Sequence, residues 1–359
     1  MFDSVRQLSW LDSNCRVLAQ VRDPRVPLRE RMKFLAVLSA NIDEFFTVHG
    51  VKLASRRGVD GERSNDRSGW DELRTRLRQL VDEHHRYFLD ELRPLLAGDG
   101  IVLLRTEQAS EAQRQYLDEY FRRAVLPALT PLAIDPGHPF PHLRHGSVYL
   151  AARLWASDSS ARSTFPRAGL SMIHVPSSVL PRFVPVPDSV RPHAFVLLDH
   201  LIQLHLPALY RGYEVLSSHS IRVTRSSGRL GHGRRDEAGI PCGPAVRLEH
   251  DVSLPADILA TLLDGLELSG ESAYAARCFA AFGDLHQLYA AVSPPRLAHA
   301  PAKSRAVPAP DIWSVVQVDS AAREATRRAA RAEAAHLSPS PQARPGQASD
   351  AVEQWKRWA

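Results

Sequence analysis

Cysteine is scarce in these 359 residues: Cys15, Cys242 and Cys278 are odd in number and far apart. They form neither a disulfide framework nor a metal-ligand spacing, and they point to a reducing, cytoplasmic setting. No apolar run is long enough to span a bilayer, and Met1-Phe2-Asp3-Ser4-Val5-Arg6 lacks the basic start and apolar middle of a signal peptide. A P-loop, a Gly-rich phosphate cradle, a zinc spacing and a nucleophile elbow are all missing. What is present is ordinary for a globular protein, with 44% hydrophobic and 24% charged residues and a length sufficient for two domains. The net charge of +5 suits a polyanion, but much of the excess lies in arginines of the last third, where compositional bias explains it equally well.

The most informative stretch runs from Val26 to Arg57 and reads as one long helix. Pro27 fits a first helical position, and Gly58 and Gly61 follow the end. Leu28, Met32, Leu35, Ile42, Phe46 and Leu53 recur at helical spacing on one face, and Phe34, Leu38, Phe45 and Val48 on a second. Two apolar faces predict a helix covered on more than one side. Asn41 falls on the second face, although its amide is polar and disfavours helix. It either ties a neighbouring chain segment or faces a ligand, since a buried amide without partners costs about 1–3 kcal/mol. Asp43 and Glu44 point about 100° apart on a helix, so they read as a solvated or ion-paired face and not as a catalytic pair.

Flanking this helix are a shorter one over residues 8–22 and a third marked by Trp70, Leu73, Leu77, Leu80, Val81, His84, Phe88, Leu92 and Leu95. Ser68 and Asp71 resemble a capping box opening the third, after a turn over residues 58–69. The three make an antiparallel bundle closing near Gly98-Asp99-Gly100. His84, on the apolar face, reads as a satisfied core histidine. Beyond Thr106 a helix is expected over residues 110–126, and then a proline-rich stretch, residues 127–141, that excludes regular structure. Strands follow at 147–154, 170–175, 194–198, 213–224 and 245–250, with helices at 199–206 and 255–266. The fold class is α+β: a three-helix bundle over 1–106, a middle domain with a mixed or antiparallel sheet over 107–293, and a Pro/Ala/Arg-rich tail over 294–359 that reads as disordered.

Asn41-Ile42-Asp43-Glu44-Phe45-Phe46, preceded by Val26-Pro27-Leu28 and Lys33-Phe34-Leu35-Ala36, resembles the N-terminal signature of the bacterial polyphosphate kinases. Leu8-Ser9-Trp10-Leu11, Asn14 and Arg16-Val17-Leu18 match that family's opening helix. Leu180-Pro181-Arg182-Phe183, Phe195-Val196-Leu197-Leu198-Asp199, Ile221-Arg222-Val223-Thr224-Arg225 and, more loosely, Asp284-Leu285-His286-Gln287-Leu288-Tyr289 match its middle, or head, domain.

The resemblance implies reversible transfer of the ATP γ-phosphate to polyphosphate through a phosphohistidine, with Mg²⁺ bound nearby. The residues for that step belong to the family's C-terminal half, with which nothing here aligns, so no catalytic and no metal-binding residue is assigned. Asn41 occupies the position of the family's nucleotide-site asparagine, contributed by the helical domain as a lid over the catalytic half. The histidines His84, His85, His138 and His142 have no accompanying set of arginines or orienting carboxylates and read as structural. His49 stands where the family usually has arginine, and Leu143-Arg144-His145-Gly146 where it often has asparagines.

The expectation is a truncated or degenerate polyphosphate kinase, inactive alone, forming a homodimer through the head domain or joining a full-length kinase. The alternative is a non-catalytic module binding polyphosphate, nucleic acid or such a kinase. A third reading is a decayed gene product, because the tail's bias is what a shifted frame in a GC-rich gene produces.

Overall fold

The computed structural model describes residues 3–54, 64–135, 137–156, 168–227, 234–235, 241–278 and 281–292. The expected tail over 294–359 and the helix-ending Gly58 and Gly61 lie outside them.

The helical part comprises α1 (Asp3–Arg22), α2 (Leu28–Ala54), α3 (Ser64–Tyr87) and α4 (Arg93–Gly98). Helix α3 begins at Ser64, so Ser68 is inside the helix and not its cap, and the turn expected to reach Gly69 is helical over its last residues. A π-turn, Phe88–Leu92, joins α3 to α4. Its extra residue rotates the stripe by one position, so that Leu96 is buried while Leu95, expected in the core, is 47% exposed. Val48 on α2 is likewise exposed, so the second face of α2 is covered only as far as Phe45.

The remaining elements are β1 (Ile101–Leu104), α5 (Glu111–Tyr120), β2 (Pro131–Ile134), β3 (Val148–Ala156), β4 (Ala168–His174), β5 (Phe183–Val186), β6 (His193–Leu197) and α6 (Leu198–Leu209). They continue with β7 (Tyr213–Arg225), the two-residue ladder β8 (Arg234–Arg235) and β9 (Pro241–Cys242), β10 (Ala245–Asp251), α7 (Ala256–Gly265), β11 (Ala273–Ala276) and α8 (Leu285–Val292). A mixed six-stranded sheet has the order β11-β10-β7-β3-β4-β2, and a three-stranded one the order β1-β6-β5. The α+β expectation and its five long strands hold. The proline-rich stretch nevertheless contains a strand. Pro131 opens β2, whose residues pair with β4 at the sheet edge, where a missing N–H is tolerated.

Alternation along β3 divides the core. Val148, Leu150, Ala152 and Leu154 face α6 and the three-stranded sheet, whereas Tyr149 and Ala151 face α7. A third apolar cluster fills the helical part and runs without a break into Phe195, Leu197, Val246, Tyr274 and Phe282. Gly50 is what lets α2 approach β10 so closely. A Cβ there would lie 2.6 Å from Val246 Cβ.

Candidate functional site

Residues two apart on a helix point about 200° apart, so Asn41 and Asp43 look to opposite sides of α2. Asn41 looks to α1: its Nδ2 donates to Asn14 Oδ1 at 2.9 Å, and Asn14 Nδ2 in turn donates to the Trp10 carbonyl at 2.9 Å. Asn14 is buried and Asn41 half-buried. Asn41 therefore does tie a neighbouring segment, yet its Oδ1 accepts no hydrogen bond among the described residues. Beside it Trp10 stacks on Phe45 with centroids 4.4 Å apart, and His49 sits 5.0 Å from Phe45 and 6.3 Å from Trp70.

Asp43 looks to the sheet, into two arginines. Arg222 of β7 meets it through two hydrogen bonds, Nη1 to Oδ1 at 2.9 Å and Nη2 to Oδ2 at 2.5 Å. Arg247 of β10 reaches Oδ1 at 2.5 Å. Both arginines also hold Glu249 Oε2, at 2.6 and 2.8 Å. Arg222 Nε donates to the Gly146 carbonyl, and the Arg247 guanidinium lies 4.5 Å from the centre of the Phe46 ring. Two cations and two anions are thus closed into a buried, charge-balanced knot between α2 and the central strands. Burial by itself would raise the Asp43 carboxyl, but the charges and hydrogen bonds of Arg222 and Arg247 outweigh it and hold the group far below the usual carboxylate range. Asp43 and Glu249 in turn outweigh the burial of Arg222 and raise it.

His84 is a core histidine, as expected. Its Nε2 lies 3.2 Å from the Leu35 carbonyl, and Phe282 covers both it and His85. Burial pushes these imidazoles down to about 3 and about 4, helped by their mutual field at His84 and by Arg247 at His85. They are neutral and enclosed. His138 pairs with Asp135 on an exposed turn, and His142 lines a cleft elsewhere, so the four histidines do not converge. Sequence pattern alone does not place Arg222 and Arg247 on Asp43, nor Glu249 on the same arginines. The signal was charge inside otherwise apolar strands, Val246-Arg247-Leu248-Glu249 alternating with Ile221-Arg222-Val223 on the neighbouring strand.

Two family models match the chain: the polyphosphate kinase N-terminal domain over residues 4–104 and the polyphosphate kinase middle domain over residues 112–228. The chain belongs to the polyphosphate kinase family. It is 36% identical over 282 residues to a polyphosphate kinase of Mycolicibacterium gilvum, and 36% identical over 289 residues to one of Thermosynechococcus vestitus. These alignments take in 74% and 75% of this chain but 38% of each relative. The crystal structure of polyphosphate kinase from Porphyromonas gingivalis superposes with a TM-score of 0.66 at 25% identity, covering 83% of this chain and 43% of that one. Against the magnesium that the polyphosphate kinase family implies, the fit is poor. Among the described residues no three His, Cys, Asp or Glu side chains converge, and Asp43 and Glu249 are committed to arginines. No step through a metal is assigned to these residues.

Proposed function

We propose that this chain supplies the nucleotide lid and the docking platform of polyphosphate kinase, with phosphoryl transfer from ATP to polyphosphate depending on a catalytic half beyond the described residues. One observation carries the reading: α2 is locked to the sheet through Asp43 while presenting, on its other side, an Asn41 carboxamide with an uncommitted acceptor. Such an amide, held by Asn14 and fixed in register, is pre-ordered to meet a nucleotide edge without paying for its own immobilisation.

The domain division proposed is helical over 1–106 and middle over 107–293. Self-association through the middle domain, or docking on a full-length kinase, is supported by Leu132 on the edge strand β2 and Trp155 on β3, which are 38% and 45% exposed on the α7 side of the sheet. A cytoplasmic site of action accords with Cys15 and Cys278 standing as thiols and not as a disulfide. Among the described residues no helix is long and apolar enough to cross a membrane.

The test is assay of the purified chain with Mg²⁺-ATP, then calorimetric titration of ATP into wild type and N41A. The expected results are no polyphosphate synthesis and an ATP affinity about tenfold weaker in N41A, the loss of one buried hydrogen bond. Robust synthesis, or equal ATP affinity in both proteins, would refute the proposal.

A further inference from the structure

Loop residues 142–146 connect β2 to β3 and carry three basic side chains, His142, Arg144 and His145, in five positions. The sheet adds two more. Arg225, at the end of β7, donates its backbone N–H to His145 Nδ1 at 3.0 Å and its Nε–H to the Leu143 carbonyl at 2.8 Å. Arg144 donates its backbone N–H to the Tyr149 hydroxyl at 3.0 Å, and the Tyr149 ring lies 5.1 Å from that of His174 on β4. Beside this turn opens a cleft of about 260 Å³, lined by Phe140, Pro141, His142, Arg225, Gly243 and Glu267 among others.

Among the described residues, charge around the turn is predominantly positive. From α2 and β10, Asp43 and Glu249 are spent on Arg222 and Arg247, leaving Glu267, just past α7, as the acid that lines the cleft. The imidazoles register this field. Burial lowers both His145 and His174, and arginines lower them further, Arg222, Arg247 and Arg225 at the first, where Asp43 offsets part of the effect, and Arg144 at the second. Because a backbone N–H can only donate, His145 Nδ1 is an acceptor and the ring proton sits on Nε2, which is a donor.

We propose that this turn, with His174 and Arg225, is a binding site for the oxyanions of a condensed phosphate chain. The choice of ligand rests on the polyphosphate reading above; the site does not depend on Asn41. Single-stranded nucleic acid fits less well because it needs an aromatic platform. Phe140, the aromatic lining the cleft, is spent on α7: its ring fills the space a Cβ on Gly265 would occupy, 2.2 Å from Cδ2. A phosphate chain needs charge and N–H donors, which the turn concentrates. A bound oxyanion also raises the imidazole of His174 by its negative charge, so binding draws in a proton.

The experiment is calorimetric titration of the full chain with polyphosphate of about ten phosphates, and with a DNA oligonucleotide of equal charge. R144Q and H142Q alter exposed side chains, and circular dichroism checks their fold. Expected are a polyphosphate affinity that falls on the order of tenfold between about 50 and 200 mM salt, and a severalfold loss with a shallower salt slope in R144Q. Affinity should tighten between about pH 8 and pH 6 in wild type, with less tightening in H174Q. E267Q should bind severalfold tighter, a gain that misfolding cannot produce. Absence of binding, oligonucleotide binding as tight as polyphosphate, or affinities unchanged in both R144Q and E267Q would overturn the site. Polyphosphate binding retained in N41A separates its fate from that of the nucleotide lid.

Discussion

Arg222 meets Asp43 end-on across 179 residues of chain, its terminal guanidinium nitrogens Nη1 and Nη2 on the two carboxylate oxygens at 2.9 and 2.5 Å. With Arg247 and Glu249 this contact decides where α2, and so Asn41, sits on the sheet. A buried ion pair adds little net stability over an apolar pair of the same shape, but losing one member leaves a stranded charge. Its contribution here is register.

D43N should therefore destabilise the chain by about 3–5 kcal/mol, the cost of a buried charge without its partner. The measurement is urea unfolding, with hydrogen exchange to locate the loss at α2. A change below about 1 kcal/mol would mean the knot is solvated and not structural.

Gly50 faces the side chain of Val246, whose Cβ and Cγ2 would each lie 2.6 Å from a Cβ on residue 50. G50A should cost about 1–3 kcal/mol by overpacking, despite alanine's better helix propensity. G50A/V246A should recover much of that, which denaturant midpoints of the two variants would show.

Stability should fall as the solution is acidified from about pH 6.5 toward pH 4. His84 and His85 have pKa values of about 3 and about 4 in the folded chain, below an ordinary histidine, so across this window the unfolded state binds more protons. Their contribution is fully present above about pH 6.5 and is lost as pH drops through the window. Unfolding midpoints compared between wild type and H85N should show a smaller loss on acidification in the variant. Parallel curves would count against burial of His85.

Ser110 caps α5 by accepting the Gln113 N–H at 3.3 Å, while Gln113 Oε1 accepts the Ser110 N–H at 2.9 Å. Gln113 also donates to the Pro187 carbonyl at 3.0 Å. S110A should cost about 1 kcal/mol, as loss of an N-cap does, and Q113A more, because it also strands a carbonyl. Thermal unfolding of both variants would rank them.

The sequence by itself determined the longer elements and the family. Periodicity is local, so the stripes of α2 and α3 and the long alternating strands were legible, as was the Asn41-to-Phe46 run that marks a polyphosphate kinase. What local pattern could not carry was phase and partnership. The π-turn moved burial from Leu95 to Leu96, and Pro131 became an edge strand because β4 offered it a partner. Only the tertiary structure showed that Asp43 faces two arginines 179 and 204 residues away along the chain. A charge inside a strand announces that it needs a partner, but which partner it finds is decided by how helix and sheet are brought together.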